Sequence, residues 1–173
     1  WLHADHIELA SRDSTSTRLG RASVLPLTPL PWEITCVWMG RSASTTALVH
    51  QIQRWASGVP DEYLDALRAI ESAEAEAFQV LSDPLNSEQR RTLWSQIVAR
   101  GGEAVRRLGE RAGVDLWTVE HTHLEALLSP LGVSVKPTGA GGGDLALIVA
   151  PSPDDHRRAL ETLKSNRWIF FML

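Results

Sequence analysis

The sequence predicts an α+β domain in which several helices pack on a mainly antiparallel sheet. Two observations carry this. The middle of the chain holds segments whose apolar residues recur three and four apart, the mark of helices with one buried face. The last third then reads strand, glycine-rich loop, strand, helix, strand, an order that suits helices layered on an antiparallel sheet.

The elements follow in order. Residues 5–10 and 21–27 read as short strands around the polar run Arg12 to Thr17, and Trp32 to Met39 is a stronger strand with Ile34, Cys36 and Trp38 on one face. A helix opens after Ser42, Ser44 and Thr45 and runs through Leu48, Val49, Ile52 and Trp55. Over 61–81, Leu64, Leu67, Ile70, Ala73, Ala77 and Leu81 define one apolar face, and Asp83-Pro84 ends the helix. From Ser87 a further helix carries Trp94, Ile97, Val98, Val105 and Leu108, with Asn86 and Gln89 as a capping box and Gly101-Gly102 as a break or bend. After Thr118 a third long-period segment buries Leu124, Leu127 and Leu128 and stops at Pro130. Leu145 to Ala150 is a strand, and Ser152-Pro153-Asp154-Asp155 starts a helix that reaches about Ser165. Trp168 to Leu173 closes the chain as an apolar strand, to be buried or to serve as an interface.

Composition narrows the function classes. At 173 residues and 43% hydrophobic, one core is attainable without disulfides or metals. A net charge of −4 gives no general electrostatic case for nucleic acid or anionic membrane. The single cysteine, Cys36, lies in an apolar strand pattern and reads as an inert buried thiol. No run approaches the ~20 apolar residues of a membrane span, and a reducing cytoplasm is the expected location. The histidines do not assemble a zinc set, since His121 and His123 fall on different helix faces.

The chemistry concentrates in Lys136-Pro137-Thr138-Gly139-Ala140-Gly141-Gly142-Gly143-Asp144. Glycines give up packing and lose the most backbone entropy, so a cluster of them needs a backbone reason. One reason is a loop whose N–H groups converge on an anion; the plain alternative is a flexible turn. The loop lacks the Gly-Lys-Ser/Thr ending of a Walker A motif, and no helical pattern starts directly after it as a dinucleotide fingerprint needs. Lys136 is placed to offer a point charge to a phosphate, or else is a solvated strand-end lysine. Thr138 could donate its hydroxyl or cap the turn, and Asp144 is expected to brace the loop by accepting its amides rather than to ligate magnesium. Ser42, Ser44 and Thr45 stand at a helix N-terminus, which favours anions, although one of them is needed as the N-cap; Arg41 adjoins them.

The wording of the glycine loop resembles the third motif of the GHMP kinases, the superfamily of galactokinase, homoserine kinase, mevalonate kinase and phosphomevalonate kinase, and is most like the last. Val37-Trp38-Met39-Gly40-Arg41-Ser42-Ala43-Ser44-Thr45 is similar to the segment that opens their C-terminal half. Leu108-Gly109-Glu110-Arg111-Ala112-Gly113-Val114 and Leu124 to Leu128 resemble the helices leading to the loop, and the three blocks agree in order from about residue 32 to residue 150.

The resemblance implies a ferredoxin-like C-terminal domain spanning 1–173, with 1–31 as lead-in strands and loop. It implies an ATP-dependent, Mg2+-assisted kinase that transfers the γ-phosphoryl group of ATP to a phosphorylated alcohol such as phosphomevalonate. Lys136, Thr138, Gly139, Ala140, Gly141, Gly142, Gly143 and Asp144, with Arg41, Ser42, Ser44 and Thr45, would form its phosphate- and substrate-binding wall. The ATP loop of the family, Pro-x-x-x-Gly-Leu-Gly-Ser-Ser-Ala, and its catalytic aspartate have no counterpart in 1–31, and the chain begins on Trp1. No catalytic residue and no metal ligand is therefore expected here, and the chain alone is expected to be inactive without an N-terminal kinase domain of the same protein as partner. A homodimer stays open. The alternative is a non-catalytic ferredoxin-like module that keeps the loop as an anion sensor.

Overall fold

The computed structural model describes residues 34–172. The strand and hairpin expectations for 5–27 lie outside the described residues. Ten elements follow in order: β1 (Thr35–Trp38), α1 (Thr45–Gly58), α2 (Pro60–Ser82), α3 (Ser87–Ala112), α4 (Val119–Leu128), a 3-10 turn (Ser129–Leu131), β2 (Ser134–Pro137), β3 (Leu145–Val149), α5 (Pro153–Ser165) and β4 (Phe170–Met172).

The strands form one sheet in the order β2-β3-β1-β4, antiparallel at every junction. Reading α4 as the helix of the first unit and α5 as that of the second, the order β-α-β-β-α-β is the ferredoxin-like arrangement. Alternation along the strands separates two faces. Val37, Met39, Val135, Ala146 and Ile148 form one core with Leu124 and Leu128 of α4 and Ala159 and Leu163 of α5. The opposite face carries a register row of Lys136, Leu147, Cys36 and Phe171. There α3 packs along β2, with Ser95 Oγ 3.0 Å from Ser134 Oγ.

The inserted helices α2 and α3 hold buried residues of their own, and α1 packs partly buried side chains against them. Ala66, Leu108, Val114 and Leu116 gather with Leu48, Ile52 and Trp55, and Ala73, Val80 and Ile97 gather with Trp94. The buried seam of α2 runs through Ala66, Ala73 and Val80, and Leu64, expected inward, is 48% exposed. The reason is that small residues let α2 lie close to α3, which rotates the larger Leu64 outward.

Helix boundaries follow their caps. Asn86 and Gln89 form the expected reciprocal box, and Ser152 caps α5 through the Asp155 N–H at 3.1 Å. Gly101-Gly102 does not break the helix, because α3 is continuous from Ser87 to Ala112. A Cβ on Gly102 would stand 2.7 Å from the Val135 carbonyl oxygen of β2. The glycine pair is a contact surface that brings the helix backbone down onto the strand.

Candidate functional site

The glycine loop between β2 and β3 and the turn between β1 and α1 meet at one end of the sheet. Asp144 joins them: its Oδ1 accepts from Ser42 Oγ at 2.9 Å and from the Ala43 N–H at 3.1 Å. Its backbone continues the link, since the Asp144 N–H donates to the Arg41 carbonyl at 2.8 Å and the Asp144 carbonyl accepts from Met39 at 2.9 Å. Asp144 thus braces the neighbouring turn rather than the amides of its own loop.

Within the loop the backbone groups divide. The Gly141 N–H donates to the Thr138 carbonyl at 3.3 Å, and the Gly142 N–H donates to the Leu116 carbonyl at 2.9 Å. The N–H groups of Gly139, Ala140 and Gly143 have no acceptor among the described residues. Positive φ prevails at Gly139 (56°), Gly141 (78°), Gly142 (77°) and Gly143 (147°), and Asp144 adopts 43°. Thr138 turns inward, with its hydroxyl and its N–H both donating to the Leu145 carbonyl at 3.0 Å.

Beside the loop, Ser44 is the N-cap of α1 and accepts from the Ala47 N–H. Thr45 and Thr46, the first two helical residues, have N–H groups with no acceptor among the described residues. A helix start of this kind carries partial positive charge. Arg41 is held at the same end by carboxylates, with Asp115 Oδ2 at 2.6 Å and Glu120 Oε2 at 4.0 Å. Those carboxylates balance its charge and fix it over the loop's flank.

Lys136 does not enter the loop. Its stem lies along Gly101 of α3, and its ammonium donates to the adjacent Pro137 carbonyl at 3.3 Å. Burial holds its pKa below the ordinary lysine value, with Glu74 pulling weakly the other way. It borders an apolar cavity of about 490 Å³ between α1, α2, α3 and the sheet.

Against known proteins, no family model and no curated sequence matches the chain. Solved structures do. The chain superposes on a Lin0012 protein from Listeria innocua with a TM-score of 0.73 at 18% identity, covering 84% of this chain and 39% of that one. It is similar to an L. major mevalonate kinase in complex with R-mevalonate, at TM-score 0.65 and 18% identity, over 77% of this chain and 38% of that one. It is similar also to the Streptococcus pneumoniae phosphomevalonate kinase in complex with phosphomevalonate and AMPPNP, at 0.63 and 14%, over 82% and 39%. The fold of this chain is therefore shared with part of a mevalonate kinase and part of a phosphomevalonate kinase.

The chain spans less than two fifths of the length of these structures, 38% to 39%. Of the twelve residues expected at a GHMP-type site, ten gather at the loop–turn junction, Lys136 faces the helical layer, and Thr138 is tied into the strand ends. Sequence reasoning missed Leu116, whose carbonyl holds Gly142, and Asp115, which holds Arg41. An acid directly after the Gly113-Val114 helix end was the available signal for Asp115; a backbone carbonyl such as that of Leu116 leaves none. Two lesser expectations stand: Cys36 is buried with its pKa raised by burial, and His121 is buried while His123 is exposed.

His121 has a role the sequence left out. Its Nδ1 lies 3.1 Å from the Thr118 N–H and accepts from it at the start of α4. Burial lowers its pKa to about 4, so the ring is neutral and serves as a cap.

Proposed function

We propose that this chain is one wall of the catalytic cleft of an ATP-dependent small-molecule kinase of the GHMP class, acting on a phosphorylated alcohol such as phosphomevalonate. The observation that carries the reading is the Asp144 brace, which gathers two sets of open N–H donors at one sheet end. These are the loop amides of Gly139, Ala140 and Gly143 and the first amides of α1 at Thr45 and Thr46. Donors held in place before reaction suit phosphoryl transfer, which depends on positioning and charge stabilisation.

In this reading Gly139, Ala140, Gly143, Thr45 and Thr46 face phosphate oxygens, while Gly141, Gly142, Thr138, Asp144, Ser42, Ser44 and Arg41 hold the wall in shape. ATP fits such a wall through its phosphates. Mg2+ held by this chain does not fit: Asp144 Oδ1 is engaged by Ser42 and Ala43, and Asp115 and Glu120 face Arg41. The described residues hold no cluster of three or more metal-type side chains. The partner in this proposal is an N-terminal kinase domain of the same protein, and the location is cytoplasmic; among the described residues no helix is long and apolar enough to cross a membrane.

The test is ADP release by the native full-length protein with phosphomevalonate, mevalonate, homoserine and galactose as acceptors. Turnover with the phosphorylated alcohol, and none by the 173-residue chain alone, is the expected pair. Robust turnover by the chain alone would overturn the wall reading. Failure with every acceptor would favour a non-catalytic anion-sensing module instead.

A further inference from the structure

The helical layer contains a space that meets the glycine loop only at Gly139 and Ala140. Between the Leu108 cluster and the Ile97 cluster lies the cavity of about 490 Å³, floored by Lys136 and Leu147 of the sheet. Gly139 and Ala140 close the Lys136 end, and the exposed Val49, Gln53 and Glu74 mark its mouth. Well-packed interiors leave few voids larger than a water molecule, so a space of this size in an apolar layer is a ligand-sized feature.

We propose that this cavity binds a medium-chain carboxylate, its hydrocarbon lying among Ile52, Ile70, Trp94 and Leu108 and its head on the Lys136 ammonium. Volume sets the length. An apolar cavity of about 150 Å³ takes one benzene, so this one has room for roughly three such volumes and holds a ten-carbon acid of about twelve heavy atoms with slack. Charge sets the head. Lys136 is half-buried, and its ammonium meets only the neutral Pro137 carbonyl, at 3.3 Å; among the described residues no carboxylate forms an ion pair with it.

A cation under an apolar layer without an ion-paired, hydrogen-bonded carboxylate is costly, and a carboxylate entering with the ligand supplies one. The burial that depresses the Lys136 pKa is the same unmet cost. Glu74 selects against a heavier charge: it lines the cavity and attracts Lys136 without pairing, so a dianionic head would meet its repulsion where a monocarboxylate meets less. The proposal needs no nucleotide, and it shares with the kinase reading only Gly139 and Ala140, which border both the loop's open side and this cavity.

Isothermal titration of the 173-residue chain with decanoate, below its micelle threshold, tests this. One saturable site is expected, with decanoate at least tenfold tighter than decanol and tighter than decyl phosphate. Lys136→Met is expected to bring decanoate down to the affinity of decanol. Ala77→Phe, which fills the cavity from its α2 wall, is expected to abolish both, with far-UV circular dichroism confirming the fold. Absence of saturable decanoate binding, equal binding of decanoate and decanol, or an undiminished preference in Lys136→Met would overturn the proposal. Tighter binding of decyl phosphate would overturn the carboxylate assignment. The wild-type comparison of head groups decides even where a variant fails to fold.

Discussion

The glycines of the loop are not equivalent, and replacing each by alanine separates their roles. At Gly139 the added Cβ meets nothing within 4 Å, so the cost is only backbone strain at φ 56°. An L-residue held in that left-handed region costs about 1–2 kcal/mol. At Gly141 the same strain arises at φ 78°, and the Cβ would stand 2.6 Å from the Leu116 carbonyl oxygen and 3.2 Å from its Cα. Those are backbone atoms of the α3–α4 connection and cannot rotate away, so overpacking adds about 1–3 kcal/mol. Gly142 falls between, because its nearest obstacle at 2.7 Å is Leu48 Cδ1, the mobile end of a side chain.

The expected order of destabilisation is therefore Gly139→Ala, then Gly142→Ala, then Gly141→Ala. The first is set at about 1–2 kcal/mol and the last at roughly 2–5 kcal/mol. Urea unfolding of the three variants and the wild type, followed by tryptophan fluorescence, reads this directly. An unchanged slope with a shifted midpoint marks a change in stability alone. Equal losses at Gly139 and Gly141 would refute the argument, since both share the strain and only one has a neighbour. Under the proposed kinase reading the ranking should invert for turnover per folded molecule, with Gly139→Ala disturbing a free donor and Gly142→Ala a structural one.

Three further outcomes are expected. His121 is lowered from 6.5 to about 4 by burial, so as pH falls the unfolded chain takes up its proton first; the stability tied to the neutral ring is full above about pH 6.5 and lost on the way to pH 4, roughly 3 kcal/mol at about 1.36 kcal/mol per pH unit. Denaturant midpoints between pH 7 and pH 4 should fall more steeply for the wild type than for His121→Gln, which keeps a capping acceptor, and parallel curves would refute this. Gly102→Ala should cost about 1–3 kcal/mol although alanine favours helices, because its Cβ meets the Val135 carbonyl at 2.7 Å; a stabilised variant in thermal unfolding would show that α3 can lift from β2. Asp144→Ala should lose about 1.5–3 kcal/mol through the Ser42 and Ala43 hydrogen bonds, while Asp144→Asn, which keeps an acceptor and tolerates φ 43°, should lose little.

The parts of the fold legible in the sequence are those whose cause is local. Helix starts at Asn86 and Ser152 were readable because a cap is written in three or four adjacent residues. The apolar stripes of α3 and α4 were readable because burial repeats with the helical period. The inward turn of α2 was not, since Leu64 and Ala66 compete for the seam and the closeness of α3 decides between them. The absence of a break at Gly101-Gly102 was hidden for the same reason: two glycines in a helix signal either a break or a near neighbour, and the neighbour is the β2 backbone, 33 residues on from Gly102 at Val135.

The candidate site divides along the same line. A run of glycines announces that backbone must pass close to something, and it does not say whether that something is ligand or protein. At Gly141 and Gly142 it is protein, the Leu116 backbone and the Leu48 side chain. At Gly139 there is open space, and its N–H and that of Ala140 have no acceptor among the described residues. In the proposed kinase reading, the functional part of the motif is what the fold leaves unoccupied, the N–H groups of Gly139, Ala140 and Gly143. Lys136 follows this logic from the other side: a charge placed before a glycine loop reads as belonging to it, yet strand alternation turns the side chain toward α3, where its neighbours are the wall of an apolar cavity.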